Sequence, residues 1–266
     1  MITSRIAGLI TGFFIIAGSL IAQTSTNSPY SRFGTGDQEL NGFGQNKAMG
    51  GLTLGLREDN HINVFNPASY SAQDSLTFLF EFGLRTKATS LKTKDYTTNF
   101  YNTNIDYLAM GFPVTNWWFS SIGVVPYSNV GYRIMDSSYL SGAGTIHQYF
   151  TGSGGLDKFY IGNSIKIFKN FSLGFNVGYI FGNIRETTTL SFPGNSSIYR
   201  SMEEMNTSVG DLKFNFGLQY HKKLNEKIRF TVGLIYDNKT DITATKDLLG
   251  ASVYGDNIDQ ISANTI

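Results

Sequence analysis

The sequence predicts an all-β protein, an antiparallel transmembrane β-barrel preceded by an N-terminal plug, and three observations predict it. Apolar residues recur with a period of two. In the segment opening at Leu76, Phe78, Phe80, Phe82 and Leu84 share one face, while Thr77, Glu81, Gly83 and Arg85 share the other. The same alternation carries Leu173, Phe175, Val177, Tyr179 and Phe181, then Leu212, Phe214, Phe216, Leu218 and Tyr220, then Phe230, Val232, Leu234 and Tyr236. Such alternation also suits a half-buried strand of a soluble sandwich. The opposing face argues against that reading, because it holds Gly, Ser, Thr and Asn with sparse charges, as a crowded aqueous lumen requires. Length is the third observation. Residues 171–192 and 197–221 form runs far beyond the usual strand of about 5 or 6 residues.

The first element is a secretory signal at residues 1–22. Arg5 gives it a positive start, 6–21 is apolar except for Thr11 and Ser19, and Ala22 precedes Gln23 at a cleavage point. Leu20, at the third position before the cut, is larger than such sites prefer, and a retained transmembrane helix is the alternative. Residues 23–75 follow, rich in glycine and poor in apolar runs, and are expected to order only against another surface. Residues 76–266 then supply about seven strands, near 76–88, 100–113, 117–132, 144–167, 171–192, 197–221 and 227–245, with boundaries uncertain by about 2 to 4 residues. Gly152, Gly154 and Gly155 suggest a bulge in the fourth, or a turn dividing it in two. Short turns near 114–116, 168–170 and 222–227 would face the periplasm, and the connections near 89–99, 133–143 and 193–196 the exterior. Trp117 and Trp118 would then sit just above a periplasmic turn. Single-chain bacterial barrels have an even strand number, and 257–266 shows no alternation, so the expectation is a first half, truncated, of a larger barrel.

Composition excludes several function classes. A net charge of +1 and the lack of any basic cluster interleaved with aromatics give no reason to expect nucleic acid. With no cysteine there is no thiolate metal site, thiol catalysis or lipidated N-terminal cysteine. Catalysis has no foothold either: His61, His147 and His221 are scattered, no Gly-x-Ser-x-Gly elbow occurs, and Glu203 with Glu204 reads as a solvated strand end. No metal or cofactor is expected.

Within 41–75, Gly42, Gly44, Met49, Gly50, Gly51, Asp59 and the run Asn66-Pro67-Ala68 resemble the N-terminal hatch of the FadL/TodX family of outer-membrane transporters. The run from Asn27 to Gly34 resembles uncharacterised Bacteroidetes members of that group. Phe112-Pro113-Val114 before Trp117-Trp118, and Gly154-Gly155-Leu156 ahead of Phe168-Lys169-Asn170, extend the resemblance over most of the mature chain. The resemblance implies a fourteen-stranded barrel in a Gram-negative outer membrane. It also implies passive uptake of long-chain fatty acids or aromatic hydrocarbons, with lateral exit near the third strand. Outer-membrane lipid and a hydrophobic small molecule would be its partners. Asn66, Pro67 and Ala68 would turn the hatch into the wall. Gly123 and Pro126 would form the lateral gate, since proline donates nothing to a ladder and glycine weakens packing, although Pro126 could equally mark the end of a strand. If Ile105, Tyr107 and Ala109 face lipid, then Leu108, Met110 and Phe112 face inward, to hold a ligand or to pack on the hatch. Arg85, Lys166, Lys213 and Arg229 are the inward cations. The alternative function is a surface shuttle or scaffold barrel that holds a secreted client protein, or a structural barrel without transport.

Overall fold

The structure, a computed structural model, describes residues 25–39, 42–142, 144–194, 200–225, 227–239, 241–254 and 257–265. The signal reading of residues 1–22 lies outside the described residues. Ten strands form one antiparallel, curled sheet: β1 (Asp37–Gln38), β2 (Leu79–Lys92), β3 (Thr97–Pro113), β4 (Trp118–Leu140), β5 (Gly144–Phe168), β6 (Phe171–Ser191), β7 (Arg200–Lys223), β8 (Arg229–Asp237), β9 (Ala244–Tyr254) and β10 (Asn257–Thr265). The single described α-helix, α1 (Gly44–Ala48), and two short 3-10 turns, Pro29–Arg32 and Pro67–Ala72, precede β2. No helix among the described residues is long and apolar enough to cross a membrane.

Alternation places the residues as the sequence indicates on β2, β6, β7 and β8. Phe80, Phe175, Phe214 and Phe230 point away from the N-terminal segment and are each about half exposed. Ser172, Asn176 and Gln219, of the opposite parity, are buried beneath that segment. On β6 the outward apolar run goes from Phe171 to Phe181 and gives way to Asn183, Arg185, Thr187 and Thr189. That run matches the about 9 to 11 residues of a tilted spanning strand. The outer band starts at the rim that carries Trp117, Trp118, Phe168 and Phe171, and the strands continue well past its other limit.

Three features depart from expectation. β5 is continuous through its glycines, and the irregularity lies across the ladder on β4, between Pro126 and Ser128. The seventh expected strand is two collinear pieces on one edge of β7. β8 pairs with its lower half, from Lys223↔Arg229 to Asn215↔Asp237, and β9 with its upper half, from Val209↔Ala244 to Arg200↔Val253. Side chains replace the missing ladder bonds between them: Phe214 N–H donates to Asn238 Oδ1 (2.8 Å) and Thr243 N–H to Asp211 Oδ2 (3.1 Å). β10 pairs with β9 although its sequence does not alternate, because pairing uses backbone groups that every residue except proline supplies in full.

The N-terminal segment packs on the inner face. Phe43, Ile62, Val64 and Tyr70 from the segment join Ala109, Phe119, Val125 and Tyr160 from the wall in one buried cluster. A second cluster, Val130, Tyr132, Leu156, Ile180, Ile184 and Val209, lies further along the same strands.

Candidate functional site

β3 and β4 part company. They pair only from Pro113↔Phe119 to Leu108↔Val124, while β2 follows β3 up to Lys92↔Thr97 and β5 follows β4 up to Leu140↔Gly144. Both expected gate residues sit where the ladder ends. Gly123 still pairs with Ala109, and its bare Cα lets the Tyr160 ring approach; a Cβ there would lie 2.8 Å from Tyr160 Cε1. Pro126 lies just past the last pair and has no N–H to offer β3.

The opening is occupied. β1 pairs with the freed edge of β4 (Asp37↔Asn129, Gln38↔Ser128), Glu39 N–H donates to Tyr127 O (3.1 Å), and Ser28 N–H donates to Gly131 O (2.8 Å). Gly131 N–H in turn donates to Ser31 Oγ (3.1 Å). On the β3 side, Asn27 Nδ2 reaches Asn102 Oδ1 (3.1 Å) and Asn104 Nδ2 reaches Ser25 O (2.7 Å). Residues 25–39 therefore satisfy backbone groups that a split wall would leave open.

Ion pairs fasten this filling. Arg85 on β2 pairs with Glu39 and lies 3.3 Å from Asp106 on β3. Lys47 of α1 contacts both Asp106 oxygens at 2.6 and 2.7 Å, and Asn129 donates to Glu39. Burial alone would raise the Glu39 carboxyl, but its hydrogen bond and charge pairing with Arg85, aided by Asn129 and Lys47, hold it below the ordinary carboxylate value. Lys87 and Asp37 form a looser pair at 3.8 Å.

Residues 54–73 make a second attachment of another kind. Asn66 caps the Pro67–Ala72 turn, its Oδ1 accepting from Ala68 N (3.2 Å) and its Nδ2 donating to Leu54 O (2.7 Å). Asn66, Pro67 and Ala68 lie flat on Gly174 and Gly217, which are ladder partners; a Cβ on either glycine would strike them. Tyr70 O–H donates to Asn176 Oδ1 (2.9 Å), and Asn176 Nδ2 donates to Val64 O (2.7 Å). Burial drives the Tyr70 hydroxyl well above its usual value. Arg57 donates to Ala68 O (3.1 Å), Gln219 Oε1 (3.1 Å) and Ser71 Oγ (3.0 Å), and burial pushes it down to about 10. Gln219 Nε2 returns to Leu54 O and Leu56 O, both at 3.1 Å. The entry into the wall is made later in the chain, where Gln73 Nε2 ties Thr77 O (2.7 Å) to Gly111 O (2.9 Å) ahead of β2.

Leu108, Met110 and Phe112 do not face inward, which corrects the expectation. Tyr107 stacks on Phe43 with centroids 3.9 Å apart, Ala109 is fully buried, and Gly111 lies under Ile62. Leu108 is exposed on the opposite face. The cause is a bulge: β2 runs from Gly83 to Leu84 while β3 runs from Tyr107 to Ile105, so Asp106 is an extra residue. An extra residue reverses parity. Asn102, Asn104 and Asp106 face inward above it, and Tyr107, Ala109 and Gly111 face inward below it. Two of the inward cations also have partners, Arg85 as above and Lys213 with Asp237 at 3.7 Å. Lys166 lies over the Phe119 ring at 4.5 Å. Glu39, Lys47, Arg57, Asp106 and Gln219 carry much of the attachment and escape a reading by strand alternation. Their signal is complementary charge between a glycine-rich segment and inward strand positions. Among the described residues no group of three or more His, Cys, Asp or Glu side chains is placed to hold a metal.

A family model described as BamG matches residues 1–265. No curated protein and no solved structure matches the chain. The match spans nearly the whole sequence, and the chain belongs to the BamG family. This overturns the resemblance to FadL/TodX transporters, and with it the uptake of fatty acids or hydrocarbons.

Proposed function

We propose, from membership in the BamG family, that this protein serves the assembly of outer-membrane proteins as a barrel scaffold, in company with the β-barrel assembly machinery that the family name denotes. In this reading the curled sheet is part of a transmembrane barrel in the outer membrane, and residues 25–78 are its internal plug. The reading succeeds the alternative of a barrel that engages client proteins. One structural observation carries it: the inner face is taken up by the chain itself. The glycine seat under Asn66 to Ala68 and the strand that fills the β3–β4 gap suit a rigid wall more than a conduit. No chemical step is part of this role.

The test is a cross-linked purification of the full-length protein from native envelopes. The core insertase of the assembly machinery should be recovered with it, and depletion should lower several unrelated outer-membrane barrels together. Recovery without the insertase, with unchanged barrel levels on depletion, would overturn the proposal.

A further inference from the structure

The short-turn rim is basic. Six cations, Arg57, Lys166, Lys169, Lys222, Lys223 and Arg229, surround an open cavity of about 410 Å³ there; among the described residues Asp59 is the one carboxylate that lines it, and Asp74 is near enough to act on Lys166. In a chain of net charge +1, with 21 Lys and Arg against 20 Asp and Glu, this is strong segregation. The contrast with the β3–β4 gap is sharp. At the gap Arg85 and Lys47 each have a carboxylate within 4 Å, whereas among the described residues none of the six rim cations makes an ion pair. The buried Nδ1 of His221, which lines the same cavity, also lacks a protein hydrogen-bond partner.

Position decides what such a patch meets. Lys166, Lys223 and Arg229 have the parity of Ser164, Gln219 and Gly233, so they stand on the inner lip. In the barrel reading lipid headgroups surround the outer lip, beside Trp117, Trp118 and Phe168. From β5 to β8 the inner lip crosses three strand spacings, about 14 Å, the length of about four extended residues. A single small anion cannot span it, and an acidic run of a polypeptide can.

We propose that this inner lip docks an acidic segment of a partner protein on the short-turn side, which faces the periplasm in outer-membrane barrels. The inference rests on the charge distribution and on the transmembrane-barrel reading given above, but not on the assembly role, so the docking and that role can fail separately.

The test uses the full chain in neutral phosphatidylcholine nanodiscs and a fluorescent oligoglutamate peptide, read by anisotropy. The parent should bind it, and binding should vanish near 1 M salt, where the screening length is about 3 Å. The variant Lys166→Gln/Lys223→Gln/Arg229→Gln should bind about tenfold more weakly, and Lys169→Gln/Lys222→Gln no more than about threefold more weakly. All three side chains of the first variant are exposed, and unchanged heat-modifiable migration on gels checks that the fold is kept. Failure of the parent to bind, or equal loss in both variants, overturns the proposal. So does a parent that ignores oligoglutamate but binds phosphatidylglycerol vesicles, which would make the rim a lipid site.

Discussion

Residues 25–39 and residues 54–73 lie against the same inner face, yet they are held by opposite means. The first stretch is held by a two-residue strand and by charges: Glu39 to Arg85, and more loosely Asp37 to Lys87. The second is held chiefly by close backbone approach over glycine and by hydrogen bonds from Arg57, Tyr70, Asn176 and Gln219, with a single wall carboxylate, Glu81, meeting Ile62 N–H and His61 Nδ1. Partly buried ion pairs respond to pH and, more weakly, to salt. Steric fit and buried hydrogen bonds do not respond in that way. The gap filling is thus the adjustable attachment and the glycine seat the fixed one.

The comparison breaks most severely at the seat. Gly174→Val would press a branched side chain into the Pro67 and Ala68 backbone, which cannot rotate aside, and should destabilise the seated segment by about 3 kcal/mol. Hydrogen exchange across 54–73 should quicken while 25–39 keeps its protection; equal loosening of both would show that they are one unit. Arg57→Met comes next. It leaves Gln219 Oε1 and Ser71 Oγ short of a donor while Ala68 O keeps Ser71 and Ser164, at about 1 to 3 kcal/mol, and Arg57→Lys should recover only part because an ammonium lacks the fork.

At the gap, Glu39→Gln should favour release of 25–39 by about 2 kcal/mol, measured as protease access to the segment. Unlike the effect of Arg57→Met, it should shrink at high salt. Acid probes the same place. Because the folded Glu39 carboxyl is held below its ordinary value of 4.5, its stabilisation is full above that value and is lost as pH falls through the folded one. Release of 25–39 should therefore begin below pH 4.5, while the seat of Asn66 to Ala68 on Gly174 and Gly217 is kept; release on raising the pH would reverse the assignment. The smallest effect belongs to Lys87→Ala. Its pair with Asp37 is long and half exposed, and the change should stay within ~0.5 kcal/mol.

Most of the wall was legible in the sequence because a period of two survives wherever a strand is regular. Phe80, Phe175, Phe214 and Phe230 were placed by parity alone. Leu108, Met110 and Phe112 were misplaced because one extra residue, Asp106, leaves no mark in local composition, and parity below it inverts. The division into β8 and β9 was hidden similarly, since Asn238 and Asp211 substitute side-chain bonds for a ladder. β10 was missed because edge pairing needs no apolar stripe. At the site, Pro126 was readable from its missing N–H, but the identity of what fills the gap was not. Asp37 and Gln38 carry no strand pattern, and only the freed edge of β4 makes them one.

The glycine seat also fixes an order of events. Residues 54–73 leave the ribosome early, but the surface they rest on is made by β5 to β8, and the Arg57 bond to Gln219 closes over 162 positions. Closing so long a loop is entropically costly and slow. The segment must therefore stay open to solvent, or to a chaperone, while several strands pair. A chain halted before Gln219 would leave the Arg57 guanidinium and the Leu54 and Leu56 carbonyls without that partner, and its maturation would be timed by the seventh strand.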